Sequence, residues 1–346
     1  MKRFIYLIIL LLPLVNGCTK AGSSSAVEKF DRYIFFSQGV DTKVSLIEKK
    51  EDLSGHTFGV VGFKYDNTSS WDAVKTSATP NVFRDATGNL VETEILTCSA
   101  DGTATYAPIQ GWSNTKKFSF FAYYPFENQN VTLVNLDGTP YTGGTPAIKY
   151  TMNTADPAAS MVDVMIASHT NLDGSSSQVT STDVTFNFQH CLSCLGLKVK
   201  NSSAGNITIK SVYLNPSKLV NNEIIIPLDG SDAKPIQALS EFSEAEIFTT
   251  EESIEPSNER VLTDKLIFIP QEEEIEVQVV VSYVREAVNG YPALEGSFAS
   301  VPLKTKLSIG KKHLIHLNFT ESTVDVVGEV DENGWIDVPS VDNSFN

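Results

Sequence analysis

Residues Val184-Thr185-Phe186-Asn187-Phe188-Gln189-His190 alternate apolar or β-branched side chains with polar ones. Only an extended chain, whose successive side chains point to opposite faces, turns such alternation into one apolar and one wet surface. The same β-rich pattern recurs on both sides of this run. Lys117-Phe118-Ser119-Phe120-Phe121-Ala122-Tyr123-Tyr124 lies upstream; downstream, Ile275-Glu276-Val277-Gln278-Val279 continues to Tyr283 with its apolar side on odd positions, and Leu314 to Thr320 alternates similarly. Between such runs stand Asp101-Gly102, Asp137-Gly138, Asp173-Gly174, Asp229-Gly230, Asn289-Gly290 and Asn333-Gly334. These dipeptides accept the positive φ angles of two-residue hairpin turns. Period two at this spacing predicts an all-β chain of antiparallel strands in β-sandwich or barrel-like domains. Helix is expected at Ala238 to Phe248, as one short element, and at Asp72-Ala73-Val74-Lys75, as little more than a turn.

With 346 residues the chain is long enough for two domains, each burying its own core. Its 41% hydrophobic and 10% aromatic content supports such cores. A net charge of −16 repels phosphate backbones, so nucleic acid is not an expected partner. The polar, Gly- and Ser-rich stretch His169 to Ser177 suggests a boundary, giving an N-terminal domain over 29–172 and a C-terminal domain over 173–346.

The amino terminus carries a separate signal. Lys2 and Arg3 precede an apolar run from Phe4 to Val15, too short for a comfortable membrane span but suited to an export signal over residues 1–17. The run ends in Leu14-Val15-Asn16-Gly17-Cys18, which resembles a bacterial lipobox, so Cys18 is the expected acylation site and residues 18–28 a polar tether. The partner expected for an acylated Cys18 is outer-membrane lipid.

Chemistry is sparse. The sequence contains no GxSxG elbow, phosphate-binding GxxxxGK[ST] loop, HExxH pair or dinucleotide fingerprint. His313 and His316, three apart on an expected strand, diverge, and His190 reads as a hydrogen-bonded histidine of a core or edge. Glu329-x-Asp331-x-Asn333-Gly334 starts like a calcium loop but has Ser340 where a bidentate Glu is needed. Cys191 and Cys194 would face opposite sides of a strand and neither share a metal nor bridge each other; buried thiols, or a bridge involving Cys98, are the readings for the three internal cysteines. No enzyme, metal or cofactor is expected. Trp71, Trp112 and Trp335, with Tyr123 and Tyr124, are either core aromatics or a sugar-stacking platform; the second option makes a surface glycan-binding lipoprotein of the outer membrane the alternative function.

Five segments then resemble, in content and order, the fimbrillin-like (FimA-type, Mfa-like) pilins. They are Phe118 to Pro125, Asp163 to Ala167, Val184 to Ser193, Leu266 to Gln271 and the closing Trp335 segment. The resemblance implies two transthyretin-like antiparallel β-sandwich domains in tandem, in a subunit of surface fimbriae that supports adhesion and is exported as a lipoprotein. It also implies assembly with other subunits: a protease removes the first strand, and a strand from a neighbour fills the groove. Carried onto this chain, the first strand is Phe30 to Ser37, with Phe30, Tyr33, Ile34, Phe35 and Phe36 as its apolar residues. Donor material is expected at Val324 to Val327, including Val326, and at Ile336 to Phe345, where Ile336 and Val338 share a face. Cleavable relatives present an arginine shortly after this strand. Here Lys43 stands there and Arg32 lies inside the strand, so either another protease acts at Lys43 or the strand stays and the subunit ends a polymer.

Overall fold

A computed structural model describes residues 32–40, 53–126, 128–153, 155, 161–215, 221–237, 245–248, 251–271, 273–288, 290–299 and 303–331. Strands are numbered in chain order. Seven of them close a barrel, in the order β1 (Phe36–Val40), β4 (Thr103–Thr105), β3 (Glu94–Cys98), β2 (Thr57–Asp66), β5 (Lys116–Tyr124), β8 (Met165–Asp173) and β9 (Val184–His190). Closure removes exposed edges, and it is β1 that completes it. This strand runs antiparallel to β4 and parallel to β9.

The central strands are apolar on both faces. In β2, Phe58 and Val60 point into the barrel, whereas Val61, Phe63 and Tyr65 belong to a second core outside it; β5 divides the same way, with Phe118, Phe120 and Ala122 inside and Phe121 and Tyr123 outside. The outer residues share their core with Ile148, Tyr150, Ile224 and Ile226. These come from a four-stranded sheet ordered β13 (Lys234–Gln237), β12 (Asn221–Pro227), β7 (Ala147–Thr151) and β6 (Val131–Val134). Burial on both faces is why Phe118 to Tyr124 reads as a nearly continuous apolar run.

Two further sheets follow. One has the order β16 (Glu259–Phe268), β10 (Ser193–Asn201), β20 (Lys312–Phe319) and β21 (Val324–Asp331); the other has β14 (Ala245–Phe248), β11 (Ile207–Asn215), β17 (Ile275–Arg285) and β18 (Leu294–Ala299), with β15 (Glu252–Ile254) on β11 and β19 (Leu303–Thr305) on β17. Inward residues of both sheets, such as Leu197, Val199, Ile209, Val281 and Leu317, fill the core between them.

The architecture is all-β, as expected. Helix is limited to α1 (Trp71–Val74) and α2 (Ser177–Thr180) among the described residues. Three features depart from the sequence reading. The short helix expected over Ala238 to Phe248 gives way at Ala245–Phe248 to a strand on β11, because cross-strand pairing overrides local helical preference. The ladders are not purely antiparallel: β1 with β9 and β10 with β20 are parallel. Pairing also crosses the proposed cut between 172 and 173, since β9 pairs with β8 and β1, and β12 pairs with β7. The Gly- and Ser-rich stretch comprises the end of β8, from His169 to Asp173, and the start of the connection through α2 to β9.

Four tight turns share one local device, three within or between neighbouring antiparallel strands and one, at Asp173, leading from β8 into α2. Asp101, Asp137, Asp173 and Asp229 each accept bonds from the backbone N–H and the hydroxyl of the Thr or Ser two residues on, at 2.6 to 3.0 Å. These bonds hold the exposed Asp137 and Asp173 carboxyls below their ordinary range.

Candidate functional site

The seam around the first strand brings together residues far apart in sequence. Ile34 and Phe36 are buried in the barrel core, whereas Tyr33 and Phe35 point outward and are 46% and 49% exposed. The Phe36 ring stacks on Phe186 and meets Phe120 edge-on, with centroids 5.4 and 5.1 Å away. Tyr106 lies 5.5 Å from the Phe36 ring. A large ring seated in an aromatic socket is an anchor-and-pocket arrangement.

The backbone bonds change partner along the segment. Tyr33 bridges Gly111, with Ile34 N–H donating to Gln110 O at 2.8 Å and Trp112 N–H donating to Arg32 O at 3.0 Å. The Tyr106 hydroxyl donates to Ile34 O at 3.0 Å and accepts from Gln110 N–H at 3.1 Å. From Phe36 onward the ladder passes to β9, in register Phe36↔Val184 to Val40↔Phe188, and to β4 at Phe36↔Ala104 and Ser37↔Thr103. The strand proper is therefore Phe36–Val40, displaced from the expected Phe30 to Ser37, because the partner ladder on β9 begins at Val184. Arg32 to Phe35 form a lead-in with its own partners.

The site is electrostatically quiet. Burial pushes the Tyr106 phenol well above its ordinary value and the Glu94 carboxyl up to about 7. Cys98 is buried in the barrel and raised to about 12 by the same cause. Cys191 and Cys194 are buried in the second core, and all three remain thiols with no disulfide between them. His190 Nδ1 and Asp163 Oδ1 are 2.8 Å apart, with both side chains buried where β9 ends and β8 begins.

Cys18, Phe30, Lys43, Ile336 and Val338 lie outside the described residues. Arg32 precedes the strand rather than lying inside it, and its guanidinium is engaged by Thr180 and Gly174. Val324 and Val326 are paired with Phe319 and Leu317 of β20 and pack on the chain's own second core. As placed they complete their own sheet, so donation by them would first require leaving β20.

The sugar-platform alternative loses its motivating residues. Trp71 and Trp112 are 3% and 4% exposed. Trp71 packs against Phe63 and Phe121, and Trp112 against Phe118 and Phe120. Tyr123 and Tyr124 are also buried. Trp335 is outside the described residues.

Fold and seam define an all-β protein whose amino-terminal strand closes a barrel. A fimbrillin-like family model matches residues 59–335, and the chain belongs to that family. Its fold is similar to that of a fimbrial protein from Bacteroides vulgatus, with TM-score 0.66 and 19% identity over 88% of this chain and 100% of the other. It is also similar to a protein of Bacteroides ovatus provisionally assigned to cell adhesion, with TM-score 0.51 and 18% identity over 89% of this chain and 99% of the other. None of the curated proteins matches it.

Proposed function

We propose that the chain is a structural or accessory subunit of cell-surface fimbriae that joins other subunits by strand donation and supports adhesion. One observation carries this reading. β1 and β10 occupy equivalent slots, each flanked by one antiparallel and one parallel strand, but they are held very differently. β10 is paired from Ser193 to Lys200 on β16 and from Cys194 to Asn201 on β20. Among the described residues β1 meets β4 only at Phe36 and Ser37. The equivalence of the two slots supports two transthyretin-like units in tandem, and the two-residue ladder on β4, beside five pairs on β9, supports β1 as the strand to be replaced.

The physics of exchange follows from the seam. Loss of β1 would uncover the rings of Phe120 and Phe186 and leave the bonding edges of β4 and β9 without a partner. A strand from another subunit supplies both main-chain bonds and an apolar anchor. Because β1 is followed by the rest of the barrel, release requires scission after Val40, where Lys43 stands; a cut after Arg32 leaves Tyr33 to Val40 attached. If the strand is retained, the subunit ends a polymer. In this reading residues 1–17 are removed, acylated Cys18 anchors the precursor in the outer membrane, and the tail containing Ile336 and Val338 is the donor material. Membership of the fimbrillin-like family and the fold shared with a fimbrial protein support it.

The test is direct. The chain from Thr19 onward is cut between Val40 and Leu53 and run unheated on a denaturing gel beside uncut protein. A ladder after cutting is expected; cut protein that loses the strand and stays monomeric with its neighbours present would overturn strand donation.

A further inference from the structure

Arg32 is tied to three separate segments just ahead of the first strand. One guanidinium nitrogen, Nη1, donates to Thr180 Oγ1 at 2.7 Å, and the other, Nη2, donates to Gly174 O at 2.7 Å and to Asn114 Oδ1. These acceptors lie on α2, on the turn after β8 and on the loop before β5. The acceptors are themselves fixed. The Thr180 hydroxyl donates to Ser176 O at 2.8 Å while accepting from Arg32. Gly174 N–H donates to Lys116 O at 3.0 Å. A Cβ at Gly174 would meet Ser113 O at 2.3 Å, so the close approach that aims its carbonyl requires glycine. Charge-assisted bonds from a planar guanidinium are stronger than neutral ones and hold orientation. The neighbouring Tyr33 bridge and the Tyr106 bond to Ile34 O add to the bonds at this amino-terminal end.

We propose that Arg32 is the latch of the first strand: a positioning residue whose clamp on Thr180, Gly174 and Asn114 sets how long the strand stays seated after the chain is cut beyond Val40. This rests on the strand-donation reading above. It assigns Arg32 a role opposite to that of a processing site, since the guanidinium retains the strand and scission after it leaves Tyr33 to Val40 attached. An incoming strand from a second subunit must then outlast the clamp, and release ends at Arg32.

The experiment uses the chain from Thr19 to Asn346, with residues 41–47 replaced by the recognition sequence of a site-specific protease and a fluorophore at the amino terminus. After cutting, excess unlabelled peptide of residues 26–40 is added and release of the labelled strand is followed by anisotropy. Arg32→Gln is expected to speed release by about tenfold or more, as loss of charge-assisted bonds implies. Thr180→Val should speed it by a smaller factor, and Arg32→Lys should fall between parent and Arg32→Gln. Far-UV circular dichroism of the uncut variants checks that the barrel is intact, and Thr180→Val keeps the test open if Arg32→Gln does not fold. Rates within about twofold of the parent in both variants, or no release from any of them, would overturn the latch. Fast release in Arg32→Gln with no ladder when neighbours are added removes strand donation and leaves the latch standing. Ladders forming with unchanged release rates remove the latch alone.

Discussion

The rings of Phe36 and Phe186 lie 5.4 Å apart and only 8° from parallel, joining β1, which closes the barrel, to its parallel neighbour β9. Both residues lie within the parallel ladder that begins at Phe36↔Val184, where Phe186 pairs with Gln38. Phe36 is fully buried, so its removal leaves a cavity among Phe120, Phe186 and Tyr106. Phe36→Ala is therefore expected to cost about 3–5 kcal/mol, read from the urea midpoint of the uncut chain. A cost below about 1 kcal/mol would mean that the socket is not closed by this ring.

Cys98 is a built-in reporter of the seam. It pairs with Ala104, which pairs with Phe36, and all three belong to the barrel core. A thiol buried and raised to about 12 is unreactive near neutral pH. In the uncut chain from Thr19 onward, Cys98, Cys191 and Cys194 should all resist a thiol reagent. Removal of β1 should expose Cys98 while Cys191, in the second core, stays protected. Peptide mapping of the labelled protein decides; equal labelling of Cys98 and Cys191 would contradict the seam.

The pH dependence of stability should have two opposed parts. Burial raises the Glu94 carboxyl from 4.5 to about 7, so the folded chain holds a proton that the unfolded chain has lost over that interval. Its contribution therefore declines as pH rises from about 4.5 to about 7. Burial lowers His313 from 6.5 to about 4, so the unfolded chain binds the extra proton there and stability falls as pH drops from about 6.5 to about 4. Glu94→Gln should abolish the first slope and leave the second. Urea midpoints across that pH range check both signs.

Gly62 has no room for a side chain. A Cβ there would meet Phe83 at 2.6 Å and Val82 at 2.9 Å, inside the barrel. Gly62→Ala is expected to destabilise by about 1–3 kcal/mol through overpacking. Thermal melting beside Gly88→Ala gives the contrast: at Gly88 nothing lies within 4 Å and the cost comes from its φ of +88° alone.

How far the fold was legible varies from element to element. Val184–His190 alternates buried and exposed residue by residue, as its sequence predicts. Phe118 to Tyr124 announces a strand, but not that one face fills a barrel and the other a second core. Ala245–Phe248 pairs with β11 against its helical look, and Trp71 and Trp112 have the residue types of a sugar platform while lying in cores. The Arg32 clamp left no local signal, because Thr180 and Gly174 are 148 and 142 residues away.

By itself the sequence determined the features that depend on neighbours in the chain. The period of two makes strands, and Asp-Gly followed by a hydroxyl makes tight turns, because both are decided within a few residues. Tertiary structure alone decided that β1 lies parallel to β9, that it starts at Phe36 rather than Phe30, and that Arg32 fastens it. Those outcomes depend on register and on packing between segments more than a hundred residues apart, where a shift of one residue turns every side chain to the other face.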